Sequence, residues 1–315
     1  MKRENMISII IVSWNVAELL QQCLQSIFTC DFQHMLQVIV FDNNSSDGTV
    51  AMVEELFPYI QLIAHHENIG FARGNNQAIR HAKGDFIFLL NPDTRLESDT
   101  LTKLFTYLKN HPKVGVVGPK LVYPDGSIQS SRRRFPTIGS LFFESTLLET
   151  WFPNSNIVRY YRFADVSDTE ITAVDWLVGA ALFIRRTAWE TVGGLDESFF
   201  MYFEEADWCR RCKQADWAIH YLPHATVIHY EGESSKQVIT NRIIRFQQSK
   251  IRYTEKWFGR KWAWLVQLFL LVTIILEWKI EFMKWFVGHK RPLRFARMKT
   301  YGEVLKAGLN KPVRR

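Results

Sequence analysis

The glycine motifs by which the commonest nucleotide-binding folds grip phosphate are missing from this chain of 315 residues. No Gly-x-Gly-x-x-Gly occurs and no Gly-x-x-x-x-Gly leads into a lysine, so dinucleotide-dependent dehydrogenases and P-loop NTPases lack their signatures. Cysteine is scarce. Cys23, Cys30, Cys209 and Cys212 give one Cys-x-x-Cys and no second pair at zinc-finger spacing, which argues against a zinc module and for reduced thiols in the cytosol. An export signal is also lacking: the apolar run after MKREN holds only about half a dozen residues, under the roughly 7 to 15 of a signal-peptide core. It is expected to be the first strand of a body that stays in the cytoplasm. The uncharged stretch WAWLVQLFLLVTIIL, residues 262–276, has 15 residues, short of the ~20 that cross a bilayer.

Acidic residues are thin in one region only. From Arg245 onward there are 17 Lys and Arg against 4 Asp and Glu, whereas the first 244 residues carry 22 against 28. The basic character therefore belongs to the tail, which argues against a nucleic-acid-binding body. Cations scattered among Trp257, Trp262, Trp264, Trp278 and Trp285 suit phospholipid headgroups. Glu277 and Lys279 end the uncharged stretch early, so the first expectation is a pair of helices lying in the membrane interface. A re-entrant or marginal transmembrane helix is the second reading, and burial against another copy in a homodimer the third.

What is present is a chain that is 47% hydrophobic and 14% aromatic, enough for a large core. Residues 7–12 and 36–41 read as strands buried on both faces, 60–64 and 86–90 as further strands, and 114–117 as another apolar strand. Helical spacing covers 17–28, 49–57, 71–82 and 98–110, the last with Ser98 as its expected cap. Alternating strands and helices imply an α/β fold with a mostly parallel, doubly wound sheet. In such a sheet ligands sit beyond the carboxyl ends of the strands. Those ends carry Ser13-Trp14-Asn15, Asp42-Asn43-Asn44 and Asn91-Pro92-Asp93. Residues 136–167 show no period and are expected to be a loop or lid. Order returns at 174–185, at a short helix from Arg186, at 199–213 and at a strand near 226–229. The expected division is a compact domain over 1–235 and a helical membrane-associating region over 236–315.

Three groups of residues carry chemistry. Pro92 constrains its own backbone and Asn91, so Asp93 can be aimed off the strand tip, where a lone carboxylate suits Mg2+ or Mn2+; a capped turn is the plain alternative. Glu204, Glu205 and Asp207 crowd four positions, which raises at least one pKa toward the range of a general base. Against that stands an acidic first helical turn paired with Arg210 and Arg211. His229 ends a strand and offers an imidazole for a Mn2+-like ion. His65 and His66 are adjacent on a strand and are expected to point apart. Asn68, Gly70 and Arg73 lie at a helix start, where free N–H groups favour phosphate.

Ile9 to Asn15, Asp42 to Gly48, Asn68 to Asn76, Leu90 to Asp93, Trp176 to Ala180 and Phe203 to Asp207 together resemble the ordered motifs of family 2 glycosyltransferases. The nearest likeness is to the rhamnosyltransferase-like branch of bacterial surface-polysaccharide enzymes, and it covers about residues 6 to 235. The resemblance implies a GT-A fold and an inverting transfer from a nucleotide diphosphate sugar to a saccharide or lipid-linked saccharide. It implies that Ser13, Trp14, Asn15 and Asp42 hold the nucleoside, with Asn68, Gly70 and Arg73 near the base or diphosphate. Asp93 matches the last aspartate of the Asp-x-Asp metal motif and His229 a late histidine that can join a Mn2+ or Mg2+ ion. Asn91 replaces the first aspartate and Glu205 the usual aspartate base, which leaves Glu204 and Asp207 as rivals. Trp176 and Gly179 would line the sugar pocket. An inactive membrane-bound nucleotide-sugar scaffold and a nucleotidyltransferase are the competing readings; the second lacks a glycine-rich basic loop after the first strand. A lipid-linked acceptor would give attachment to the cytoplasmic membrane face a purpose.

Overall fold

The computed structural model describes residues 5–230 and 239–309. They form two compact units: residues 5–135, 166–200 and 204–230 in one, and residues 136–165, 201–203 and 239–309 in the other. The expected boundary at residue 235 lies outside the described residues.

The first unit is built on β1 (Ile7–Ser13), β2 (Leu36–Asp42), β3 (Gln61–Ala64) and β4 (Phe86–Leu90), crossed over by α1 (Ala17–Phe28), α2 (Thr49–Leu56) and α3 (Phe71–Ile79). β1 and β4 are buried along their whole length, as a two-faced parallel strand must be, and each fully buried aliphatic side chain contributes roughly 1.5–3 kcal/mol. These four strands are mutually parallel, and the register sets Ser13 opposite Asp42 and Ile10 opposite Leu89. The carboxyl ends of β2, β1 and β4 therefore share one rim, as the sequence predicts.

Beyond β4 the chain makes β5 (Thr94–Leu96), α4 (Thr100–Asn110), β6 (Val114–Val122), β7 (Ile128–Gln129) and β8 (Arg132–Arg133). Residues 136–165 then join the other unit as α5 (Ile138–Phe143), α6 (Leu147–Trp151) and α7 (Asn156–Tyr161). The first unit resumes with β9 (Thr172–Ala173), β10 (Trp176–Leu177), β11 (Ala181–Arg185), α8 (Arg186–Val192), α9 (Glu204–Gln214) and β12 (Ala218–His229). The main sheet runs β3-β2-β1-β4-β11-β6-β12-β5. β11 is antiparallel to both its neighbours, whereas β6 and β12 are parallel.

Two expectations need correcting. Helix α4 starts at Thr100, not at Ser98: Asp99 stands at its cap without a side-chain bond, and the Ser98 carbonyl instead accepts from the Asp31 N–H at 2.7 Å. The aperiodic stretch 136–167 is not a bare loop. Its three helices are each five or six residues long, too short to print a period, and Thr137, Thr146 and Ser155 each cap one.

In the second unit, α10 (Ile239–Phe258), α11 (Arg260–Phe286) and α12 (Arg291–Ala307) form a helical array, with Gly259 at φ +91° turning the chain between the first two. Phe142 packs edge-on against Phe269 at 4.9 Å, and the buried Lys250 ammonium donates to the Glu144 carbonyl. Glu277 and Lys279 do not stop α11, which continues for 27 residues. At 1.5 Å per residue it is about 40 Å long, so it is long and apolar enough to cross a membrane.

Candidate active site at the rim of the sheet

Two loops meet over the β1 and β2 ends. Asn15, at φ +52°, accepts the Ser46 N–H on its side-chain oxygen at 2.7 Å, and its own N–H donates to Ser45 Oγ at 2.9 Å. Asp42 Oδ2 accepts the Ser45 N–H at 2.9 Å. That leaves Ser13 Oγ and Asp42 Oδ1 fully buried with no hydrogen-bond partner among the described residues. Burying such atoms unpaired costs roughly 1–3 kcal/mol each, and a ligand bearing donors at this spot would remove the cost. Trp14 is half-buried beside them.

The Asn68 to Asn76 motif is braced more than it is opened. Asn68 Oδ1 accepts the Gly70 N–H at 3.0 Å, and Asn43 clamps the same turn, accepting from Ile69 N–H at 3.1 Å and donating to the Gly70 carbonyl at 3.2 Å. Gly70 sits at φ +88°, and a Cβ there would lie 2.5 Å from the Phe200 carbonyl oxygen. The glycine is required by protein backbone, not only by a ligand. Arg73 is half exposed, 3.7 Å from Glu197. Asn76 bonds both the N–H and the C=O of Leu195, at 2.9 and 2.8 Å. The bracing roles of Asn43 and Asn76 are not legible in the sequence, because their partners are 26 and 119 residues away.

Asp93 is buried in the tight connection between β4 and β5. β5 pairs antiparallel with β12, setting His229 opposite Thr94, and this brings His229 Nε2 to 3.4 Å from Asp93 Oδ1. The other ring nitrogen, Nδ1, lies 2.8 Å from Gln129 Oε1 on β7. Nε2 and the Asn91 side-chain oxygen are buried without hydrogen-bond partners among the described residues. A buried imidazole nitrogen lacking a hydrogen-bond partner and facing a buried carboxylate is a donor pair that fits Mn2+ or Mg2+.

The three carboxylates of α9 separate by environment. Asp207 is fully buried and ion-paired to Arg211 at 2.9 Å, whose other nitrogens bond the Val192 and Gly194 carbonyls. It is a structural staple between α9 and the end of α8. Glu204 is buried, and burial first, then the Glu205 charge, hold its carboxyl well above the usual carboxylate range. Glu205 is half-buried, and its Oε1 lies 3.4 Å from the Gly179 N–H. Tyr202 and Phe203, just before this helix, both adopt positive φ, +72° and +67°. That is a sparsely populated conformation for aromatic residues.

Trp176 is buried and its indole N–H donates to the Arg134 carbonyl at 2.9 Å. Gly179 packs against Glu205: an added Cβ would make ordinary van der Waals contact with that carboxyl at 3.5 Å. His65 and His66 do not point apart. β3 ends at Ala64, so strand alternation does not extend to them; their rings stack at 4.5 Å, and with Glu67 they bring ligand atoms within 4.8 Å of one another.

A family model described as glycosyl transferase family 2 matches residues 8–172. An N-acetylglucosaminyl-diphospho-decaprenol L-rhamnosyltransferase of Mycobacterium tuberculosis is 29% identical over 211 residues, 64% of this chain and 68% of that protein. Rhamnosyltransferase WbbL of Escherichia coli K12 is 26% identical over 260 residues, 79% of this chain and 92% of its own. Among solved structures, the mannosyltransferase PcManGT of Pyrobaculum calidifontis, in complex with GDP-Man and Mn2+, superposes with a TM-score of 0.56 at 18% identity, over 96% of this chain and 74% of that one.

Proposed function

Because the chain belongs to glycosyl transferase family 2, we propose that it transfers rhamnose, with inversion, from a nucleoside diphosphate donor to a lipid-linked saccharide in surface-polysaccharide synthesis. The single observation that carries this reading is the convergence of buried, partnerless polar atoms on one rim: Ser13 Oγ, Asp42 Oδ1, Asn91 Oδ1 and His229 Nε2. Ser13 and Asp42 meet the nucleoside, Asp93 and His229 hold the divalent ion, and Arg73 flanks the diphosphate once Glu197 releases it. The relatives' names support the sugar and the acceptor.

A bound Mn2+ or Mg2+ would neutralise charge developing on the departing diphosphate. Glu205 takes the proton of the attacking acceptor hydroxyl, since Asp207 is locked to Arg211 and Glu204 is buried, its carboxyl held well above the usual carboxylate range, whereas Glu205 is only half-buried. A single base and a direct displacement invert the anomeric carbon. The Gly179 N–H, 3.4 Å from Glu205, helps aim that carboxylate.

The second unit supports attachment to a membrane surface, and we take the cytoplasmic face as the one it meets. One stripe of α11, Ala263, Val266, Leu270 and Ile274, is buried within the unit, while Leu265, Leu268, Val272, Ile275, Phe282 and Phe286 are exposed on the opposite stripe. A helix with one side on protein and the other bare, with Arg260, Lys261 and Lys284 near its ends, fits the bilayer interface better than a lone span.

The test is a panel of nucleotide sugars, dTDP-rhamnose first, offered to the full chain with Mn2+, Mg2+ or EDTA and a polyprenyl-diphosphate N-acetylglucosamine acceptor. Release of the nucleoside diphosphate and the anomeric coupling of the product are read together. Metal-dependent release with an inverted linkage is expected. A retained linkage, or undiminished turnover in EDTA, would overturn the mechanism.

A further inference from the structure

We infer that Gln129 is a positioning residue for the metal end of the site, holding His229 as the Nδ1–H tautomer so that the Nε2 lone pair is kept for a cation shared with Asp93. The inference rests on the reading of Asp93 and His229 as metal ligands and adds to it a residue outside the family motifs. Gln129 Oε1 can only accept a hydrogen bond. At 2.8 Å from His229 Nδ1, it requires the proton to sit on Nδ1, and a neutral imidazole then presents a bare lone pair at Nε2.

That lone pair faces Asp93 Oδ1 at 3.4 Å, beyond the 2.7–3.2 Å typical of an N–H···O bond. Two acceptors face each other in a buried place: Asp93, His229 and Gln129 are 5, 5 and 7% exposed. Such a pair is unfavourable when empty and favourable around a cation. Outer partners of this kind fix the tautomer and ring orientation of metal-bound histidines.

The antiparallel β6–β7 hairpin places that amide. Asp125 Oδ1 accepts from the Ser127 N–H and hydroxyl at 2.9 and 2.6 Å, closing the turn, and β7 then pairs with β6 with Gln129 opposite Leu121. A neutral partner has a further consequence. A carboxylate at this position would add a second negative charge beside Asp93, whereas glutamine leaves more of the cation's charge for the diphosphate.

Two measurements on the full chain test this. With ring-15N histidine, and His229→Gln to assign the signal, the metal-free protein should show the Nδ1–H tautomer at His229; an Nε2–H pattern would overturn the inference. In Mn2+ titrations followed by electron paramagnetic resonance of the free ion, Gln129→Leu should weaken binding about 10–100-fold. Gln129→Glu, which keeps the acceptor, should restore it. Wild-type Mn2+ affinity in Gln129→Leu would sink the role of Gln129 while leaving the metal site standing. If Asp93→Asn also bound Mn2+ as wild type does, the metal site itself would be misplaced.

Discussion

At the scale of single residues, burial sorts three neighbouring carboxylates into three tasks. Asp207 is locked to Arg211 in a fully buried position, so Asp207→Asn should lower the melting temperature by stranding Arg211, at a cost of roughly 3–5 kcal/mol. Turnover per folded molecule should change little. Glu205→Gln should do the opposite, folding normally while kcat drops about 10²–10⁴-fold; steady-state kinetics beside thermal melts separate the two. Glu204 yields a pH signature. Its raised pKa means the folded chain binds this proton more tightly than the unfolded one. Stability is therefore lost as pH rises from the unfolded value of about 4.3 toward the folded one. Glu204→Gln copies the protonated acid and removes that loss. Melting curves of wild type and variant should coincide in acid and separate as pH climbs, with the variant higher; a constant gap would contradict the assignment.

At the scale of elements, glycines at apparently similar motif positions carry different loads. Gly70 has positive φ and no room, because its added Cβ would strike the Phe200 carbonyl at 2.5 Å. Its φ of +88° with ψ of 172° is a region essentially reserved for glycine, costing an L-residue roughly 1–3 kcal/mol before any clash. Gly70→Ala should lower the melting temperature and weaken donor binding together. Gly179→Ala, with ordinary contact at 3.5 Å to Glu205, should melt like wild type and reveal itself only in the KM for the sugar. The parallel strands, their helices and the rim were legible in the sequence because each rests on a local pattern: a doubly buried apolar run, a helical period, a turn. Missed were β5 and β7, at three and two residues too short to alternate visibly. Yet β5 is what carries His229 to Asp93, and β7 carries Gln129. The sequence named two of that trio; their meeting depends on pairing across more than a hundred residues. The rings of His65 and His66 can stack because both residues lie beyond Ala64, the last residue of β3, where strand alternation no longer holds.

At the scale of the molecule, the charge asymmetry of the sequence and the exposed face of α11 belong to the same unit. Glu281 lies buried in the α11–α12 hairpin, bonded to Arg294 at 2.8 and 3.1 Å and near Arg297 at 3.4 Å. Two cations around one carboxylate pin α12 along one side of α11, so the Leu268 and Val272 side stays uncovered, at 45 and 46% exposure. Uncovered apolar area of this kind, rimmed by lysine and arginine, has two separable contributions to lipid binding: salt screens the electrostatic one within about 8–10 Å, but leaves burial of the apolar stripe intact. In flotation with phosphatidylglycerol-containing vesicles, the full chain should rise with the lipid and lose only part of that binding in high salt. Leu268→Glu combined with Val272→Glu should keep the hairpin, since neither side chain is buried, and remain with the soluble fraction at any salt. If the double variant floats like wild type and salt alone releases both, the tail is held by charge and the apolar stripe must be covered by something other than lipid.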